Sequence, residues 1–125
     1  MSQLDVTNEQ INKERIRRMA LGTVINITGF SGIKISGADL GIYSALLSES
    51  GVFVDAGMTN ACMKFRDMNN KTYELTHLEM HELVFTAIKW FHELYEVAWD
   101  MKDRTGGFID GAPENFRDDI YWEII

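Results

Sequence analysis

The chain has 125 residues, 46% of them apolar and 25% charged, as is usual for a single globular domain. This composition excludes a wholly disordered, a collagen-like or a low-complexity chain. Nineteen acidic against twelve basic residues give a net charge of −7, which argues against general binding to nucleic acid or to an anionic membrane. A single cysteine, Cys62, excludes an internal disulfide framework and a zinc site built from several cysteines.

The first residues of the chain, 1–5, are polar and predict no targeting segment, and every apolar run is too short to cross a bilayer. A first helix is predicted over Thr7–Leu21. Thr7 and Gln10 have the spacing of a capping box, and Gly22 suits the residue after the helix. Its other faces carry four cations, namely Lys13, Arg15, Arg17 and Arg18.

A glycine-interrupted β segment is predicted over Thr23–Ser36, with a turn or bulge between two short strands. A second helix is predicted to run from about Gly37 to Ser50 and to end at Gly51, and Val52–Asn60 is predicted to be a loop with at most one short strand. The side chains predicted to face inward from this helix are Leu40, Tyr43, Ala45, Leu46 and Leu47.

A β-hairpin is predicted over Ala61–Leu75, and its register follows from the alternation of apolar residues. A three-residue loop, Met68 to Asn70, pairs Phe65 with Tyr73 and keeps apolar side chains on one face. Asn70 would then adopt the left-handed conformation, which asparagine tolerates.

A long helix is predicted over Thr76–Arg104, where Thr76 and Glu79 form a second capping box. Apolar residues recur along it at alternating spacings of four and three, which gives a core-facing stripe: Met80, Val84, Ala87, Phe91, Leu94, Ala98 and Met101. Gly106 and Gly107 then break the helix.

The tail, Phe108–Ile125, is both acidic and rich in large apolar residues, which a disordered tail would not normally carry. The predicted architecture is therefore an α+β domain over residues 1–107. In it, the long C-terminal helix packs with two shorter helices and a small antiparallel hairpin. Residues 108–125 form an acidic aromatic tail, docked on the domain or on a neighbouring subunit.

No set of residues with clear catalytic spacing is present, so the chain is predicted not to be an enzyme and to hold no cofactor or metal. His77 and His81 lie four residues apart on the long helix, a spacing that can hold a metal, but they lack the pattern of a zinc protease, and a solvated helix face is preferred. Cys62 is interpreted as a buried structural thiol. The acidic residues of the tail lack a calcium-loop pattern.

Partner contacts are predicted at large aromatic and apolar residues and at two cations of the first helix. Trp90 and Trp99 lie off the main apolar stripe of the long helix, so exposure would make them an interface patch. The basic face of the first helix would suit an acidic protein surface, such as the acidic tail of a neighbouring copy. The alternative, a solvated helix face, stays open. The complete set of predicted partner residues is Trp90, Trp99, Phe108, Tyr121, Trp122, Ile124, Ile125, Arg15 and Arg18.

The order of these segments resembles a family of uncharacterised tail-associated proteins and domains of tailed bacteriophages and prophages. The resemblance is carried by "INKERIRRMALGTVINITGF", then "IKISGADLGIYSALL", then the hairpin and long helix "MKFRDMNNKTYELTHLEMHELVFTAIKWFHELYEVAWDMK", and the terminal "DDIYW". It covers roughly residues 9–104 and extends to the terminal "YW". Phe65 departs from it, since a tryptophan is expected before the turn. The resemblance carries over no catalytic residues.

The resemblance implies a non-enzymatic phage structural protein, a small virion component attached to the tail or its fibres. It would be made in the host bacterial cytoplasm, be present in several copies or as a homo-oligomer, and contact other tail proteins rather than nucleic acid or membrane. One alternative is a tail-fibre assembly factor that acts in the host cytoplasm. A further alternative is a small acidic inhibitor of a host defence system.

Overall fold

The computed structural model describes residues 6–37, 40–58 and 62–122. These residues form three α-helices, two antiparallel strand pairs and a late 3-10 turn. The chain order is α1 (Asn8–Leu21), β1 (Thr23–Ile27), β2 (Phe30–Ile35), α2 (Leu40–Asp55), β3 (Cys62–Arg66), β4 (Thr72–Thr76), α3 (His77–Asp103) and the 3-10 turn (Asp119–Tyr121). The predicted α+β class and the long C-terminal helix are confirmed.

Contacts between residues group the described chain into two compact units. One unit consists of α1 up to Ala20, the part of α3 from Trp90 onward, and the tail. The other unit, Leu21–Lys89, holds both strand pairs, α2 and the first part of α3. The single domain over residues 1–107 stays a prediction. No helix among the described residues is both long enough and apolar enough to cross a membrane.

The first strand pair of the Leu21–Lys89 unit is a hairpin, as the glycine-interrupted β segment predicted. β1 and β2 pair antiparallel, with Ile25 opposite Ile33, and the register shifts near Ile27. Gly22, ahead of β1, has a φ of 75°, and a Cβ at that position would lie 1.9 Å from the carbonyl oxygen of Ile35. Only glycine permits this approach of the two backbones.

The second strand pair has the predicted register. Phe65 lies opposite Tyr73, and the hairpin closes through the three residues Met68 to Asn70. Asn70 has a φ of 60°, which confirms its predicted left-handed conformation. The side chains of Phe65 and Tyr73 are both buried, so the alternation of apolar residues was sufficient to place the turn.

The predicted end of the second helix at Gly51 is wrong, because α2 continues to Asp55. A glycine inside a helix costs only about 1 kcal/mol, and packing can offset this. Phe53, in the last turn of α2, stacks on the buried ring of His77 with centroids 4.2 Å apart. Gly51 lies beside the ring of His81, and a Cβ there would be in ordinary contact with it, 3.5 Å from Cε1.

The prediction of which side chains of the second helix face inward is confirmed only in part. Tyr43 is buried, and Leu46 and Leu47 are half-buried. Ala45 is exposed, so its predicted inward orientation is wrong. The side chain of Leu40 lies outside the described part of the chain.

The helix α3 confirms the predicted core stripe. Thr76 and Glu79 form the reciprocal capping box, with the N–H of Thr76 donating to Oε1 of Glu79 at 2.8 Å. All seven residues of the stripe are buried: Met80, Val84, Ala87, Phe91, Leu94, Ala98 and Met101. Burial of an apolar face of this length is the main contribution to helix stability.

The helix α1 begins as predicted. The N–H of Thr7 donates to Oε1 of Gln10 at 2.8 Å, and the N–H of Gln10 donates to Oγ1 of Thr7. Nζ of Lys102, near the end of α3, donates to Oδ1 of Asn12 on α1. This bond and the buried side chain of Ile11 fix α1 within its unit.

Candidate partner-binding surface

The predicted basic face of α1 is in part an internal ion-pair network centred on Glu14. This carboxylate is buried and accepts hydrogen bonds from Arg17 at 2.6 and 2.9 Å and from Nε of Arg18 at 2.7 Å. Burial raises the pKa of Glu14, but the hydrogen bonds and charges of the two arginines outweigh it, so the pKa lies below its ordinary value. Glu14 therefore stays ionised and holds both cations in place.

The second contact of Arg18 is with the tail of its own chain. Its Nη2 donates to the carbonyl oxygen of Arg117 at 2.6 Å and to Oδ1 of Asp119 at 2.8 Å. Its guanidinium also lies 5.5 Å from the ring centroid of Trp122. Three of its five N–H groups thus donate within the chain. The predicted contact of Arg18 with a partner stays a prediction.

The tail folds onto its own unit. Trp122 is only 2% exposed, and its indole N–H donates to the carbonyl oxygen of Phe116 at 2.7 Å. Trp122 was predicted as a partner residue; it is buried within this chain, and its contact with a partner stays a prediction. Ile124 and Ile125 lie outside the described residues, so their predicted role stays a prediction.

Phe108 and Tyr121 remain partly accessible. Their rings meet edge to face with centroids 5.7 Å apart, and both line an open cleft of about 450 Å³. The other walls of the cleft are Gly106, Gly107, Ile109, Asp110, Gly111, Ala112 and Pro113. Both residues are accessible, and their predicted contact with a partner stays a prediction.

Trp90 and Trp99, the two tryptophans of α3 that were predicted as partner residues, differ in their exposed fraction. Trp90 is 6% exposed and packs against Phe91, so it lacks the exposure on which its predicted partner role depends. Trp99 is 46% exposed. Burial thus leaves Trp99 as the accessible indole of the chain, since Trp122 is also buried.

Trp99 belongs to a cluster that we call the aromatic patch, formed by His92, Tyr95 and Trp99 of α3 with Arg15 of α1. The ring of Trp99 lies 5.7 Å from that of Tyr95 and 6.1 Å from that of His92. The guanidinium of Arg15 lies over the ring of Tyr95 at 4.2 Å, a cation–π arrangement. Patches that combine accessible aromatic rings with arginine are typical of protein interfaces.

The histidine pair, His77 and His81, lies in the first two turns of α3. Among the described residues, no group of three or more histidine, cysteine, aspartate or glutamate side chains could hold a metal ion. His77 is buried, and its Nδ1 has no hydrogen-bond partner there. Nδ1 of His81 lies 3.4 Å from Oγ of Ser50. The prediction that His77 lies on a solvated helix face is therefore wrong.

The side chain of Cys62 lies outside the described part of the chain, so its interpretation as a buried structural thiol stays a prediction.

Two carboxylates have structural roles that the sequence did not reveal. Glu14 is one, and Asp67 is the other; its oxygens accept hydrogen bonds from the N–H groups of Lys34, Asn69 and Lys71. An aspartate directly before a turn often accepts such bonds from the turn backbone, so this part of its role was recognisable. The bond from Lys34 has no local sequence signal.

One family model matches the chain, and it covers residues 4–120. Neither the curated proteins nor the solved structures gave a match. Because the family match extends over most of the chain, from before α1 to the 3-10 turn, the chain belongs to the family described as "Domain of unknown function (DUF4376)".

Proposed function

We propose that this protein is a non-enzymatic structural protein of a tailed bacteriophage, a small virion component attached to the tail or tail fibres. The aromatic patch is the observation that carries the proposal. Exposed Trp99, with His92 and Tyr95 around it, leaves apolar surface in water, and burying such surface against another protein is favourable. The order of sequence motifs supports the phage setting.

The polar groups of the fold support a structural rather than a catalytic role. Glu14 and Asp67 are buried carboxylates, and each is held by hydrogen bonds that stabilise its own unit. Both bonding patterns favour the ionised form, which suits an anchor for backbone and arginine groups rather than a general acid. Other tail proteins are the proposed partners.

Mass spectrometry of purified particles tests the proposal. Bacteria that produce the phage encoding this chain are lysed, and the particles are banded twice in a density gradient. We expect the chain to copurify with tail proteins in a fixed ratio through both bands, while host cytosolic proteins disappear. Loss of the chain on banding, with recovery of a tail-fibre protein bound to it from the lysate, would instead indicate an assembly factor.

A pair of matched variants connects the patch to incorporation. Trp99→Ala removes the exposed indole, and Ile42→Ala removes an exposed apolar side chain of α2 outside the patch. We expect Trp99→Ala to lower the amount of chain per particle at least about tenfold, the effect of roughly 1.4 kcal/mol of contact energy. Ile42→Ala should leave it unchanged. Absence of the wild-type chain from particles and from fibre complexes would refute a role in the tail.

A further inference from the structure

The cleft beside the tail is formed within one unit of the chain. Its described walls are residues 106–113 and Tyr121, and all of them belong to the unit that contains the tail. Its volume of about 450 Å³ lies within the range of about 300–1,000 Å³ that is usual for ligand sites. The cleft shares no residue with the aromatic patch, so it is a separate candidate site.

The loop that forms the cleft is fastened by its own hydrogen bonds to the end of α3. Oγ1 of Thr105 donates to Oδ1 of Asp100 at 2.8 Å, and the N–H of Thr105 donates to the carbonyl oxygen of Asp100. The N–H of Phe108 then donates to the carbonyl oxygen of Thr105, and the N–H of Gly111 donates to that of Phe108 at 2.8 Å. The cleft is therefore formed before anything binds, which lowers the entropy cost of binding.

Asp110 supplies the charge of the cleft, since it is the only charged residue among the described ones that line it. Its side chain is exposed and has no hydrogen bond or ion pair within the described part of the chain. Arg104 lies close to Gly111, with its Nε 3.6 Å from where a Cβ would lie. Arg104 neither lines the cleft nor forms an ion pair with Asp110. The carboxylate of Asp110 is thus available to a cation from outside.

The backbone of the walls offers more free acceptors than free donors. The N–H groups of Phe108, Gly111 and Tyr121 already donate to carbonyl oxygens, and Pro113 has no N–H. Among the described turn bonds, only two wall residues use their carbonyl oxygens as acceptors, namely Phe108 and Pro113. A ligand group that only donates hydrogen bonds fits these walls better than an anion, which only accepts them.

Two aromatic rings complete the cleft. Phe108 and Tyr121 are half-buried and meet edge to face, so part of each ring is accessible from the cleft. The faces of such rings attract cations, and a guanidinium more often than an ammonium. The tail already makes a contact of this kind internally, because the guanidinium of Arg117 lies 4.7 Å from the ring centroid of Phe116.

We propose that the cleft binds an arginine side chain of another protein. The guanidinium would pair with the carboxylate of Asp110, lie against the rings of Phe108 and Tyr121, and donate its other N–H groups to wall carbonyls. Arginine fits better than lysine, because the planar guanidinium forms two parallel bonds to a carboxylate and is more weakly hydrated.

A partner other than a second copy is the expected source of the arginine, since two chains with a net charge of −7 repel each other. The inference goes beyond the proposed function and holds whether or not the chain is part of a phage particle.

Two blocked tripeptides test the proposal on the full chain. One is acetylated alanine–arginine–alanine amide, and the other has citrulline in place of arginine, which keeps the shape of the side chain without its charge. NMR titration of the ¹⁵N-labelled protein follows the amide signals of Gly106, Gly107 and Gly111. We expect the arginine peptide to bind at least about threefold more tightly than the citrulline peptide at low salt. The difference should narrow at high salt.

Two matched variants separate the cleft from a general attraction to the acidic tail. Asp110→Asn and Glu114→Gln each remove one exposed carboxylate at nearly constant size, but Glu114 does not line the cleft. We expect Asp110→Asn to abolish the preference for the arginine peptide and Glu114→Gln to retain it. The dispersion of the amide signals in the same spectra checks that both variants are folded.

Four outcomes would overturn the proposal. The first is equal binding of the two peptides, and the second is movement of signals from the aromatic patch while the glycine signals of the cleft stay unchanged. The third is an equal loss of preference in both variants. The fourth is a dimer in sedimentation that Asp110→Asn dissociates, which would make a second copy the source of the arginine. Failure of the proposed function would be seen separately, as absence from particles of a chain that still binds the arginine peptide.

Discussion

The N–H of Lys34 in β2 donates a hydrogen bond to Oδ2 of Asp67, 3.2 Å away, and so joins the first hairpin to the turn of the second. The N–H of Met68 donates in turn to the carbonyl oxygen of Lys34 at 2.9 Å. Asp67 is buried, and its second oxygen holds the N–H groups of Asn69 and Lys71. One side chain thus shapes a turn and connects two hairpins.

Removal of the Asp67 carboxylate should destabilise the folded protein. Asp67→Ala leaves the buried donors without an acceptor, and we expect it to lower the free energy of unfolding by about 1–3 kcal/mol. Urea denaturation followed by circular dichroism measures this loss. Asp110→Ala, which removes an exposed aspartate, is the control and should change stability by less than about 0.5 kcal/mol. Equal stability of the two variants would contradict the anchoring role.

The same carboxylate predicts a pH dependence with a defined sign. Burial raises the pKa of Asp67, but the hydrogen bonds from Lys71, Lys34, Asn69 and Tyr73 outweigh it and leave the pKa below its ordinary value of 3.8. A group whose pKa falls on folding stabilises the protein above its unfolded pKa, and this stability is lost as the pH falls through the folded pKa.

We therefore expect the stability difference between the wild type and Asp67→Ala to be constant from pH 7 to about pH 5. It should shrink only below about pH 4. Urea denaturation of both proteins across this range measures it. Taking the difference removes the contribution of Glu14, whose pKa is also lowered and which both proteins retain. A difference that vanished between pH 7 and pH 5 would contradict the assignment.

Gly22 and Gly32 form a matched pair for testing backbone approach. Both have a positive φ, 75° and 77°, so replacement of either by alanine carries a similar conformational penalty of roughly 1–2 kcal/mol. A Cβ at Gly22 would meet the carbonyl oxygen of Ile35, whereas a Cβ at Gly32 meets nothing within 4 Å. Thermal denaturation should therefore show Gly22→Ala to be less stable than Gly32→Ala by at least about 1 kcal/mol. Equal losses would mean that φ alone selects glycine at position 22.

The sequence predicted those features whose partners lie close together in the chain. The capping box of Thr76 and Glu79 and the register that pairs Phe65 with Tyr73 depend on residues within one helix end or one hairpin. The bond between Arg18 and Asp119 joins residues 101 positions apart, and no local pattern selects Asp119 from the other acidic residues of the tail.

The heptad neighbours of the two tryptophans of α3 indicate which indole is buried. Trp90 follows the core residue Leu83 by seven positions and therefore lies on the same side of the helix. Trp99 follows His92 and Phe85 at the same interval, and both of those are exposed. Comparing each tryptophan with its heptad neighbours would have separated the buried indole from the exposed one.

Arg17 and Arg18 both pair with Glu14, yet we expect them to differ in their contribution to stability. The side chain of Arg18 is 12% exposed and that of Arg17 is 52% exposed. Arg18→Ala also removes the bonds to Arg117 and Asp119, so we expect a loss of about 2–4 kcal/mol. Arg17→Ala should cost less than about 1 kcal/mol, because solvent screens its charge. Urea denaturation measures both, and equal losses would show that the tail contacts of Arg18 contribute nothing.

Trp122→Phe and Trp99→Phe make the same chemical change at a buried and at an exposed indole. At Trp122 the change removes the N–H that donates to the carbonyl oxygen of Phe116, and it alters the ring beneath Arg18. A buried carbonyl left without its donor costs about 1–3 kcal/mol, so Trp122→Phe should lower the stability of the unit by that amount. Trp99→Phe should stay within about 0.5 kcal/mol of the wild type, because its indole contacts are at the surface. Thermal denaturation of the two variants compares them directly. If Trp122→Phe were as stable as Trp99→Phe, the tail would not be fastened to its own unit through this indole, and docking on a neighbouring subunit would again have to be considered.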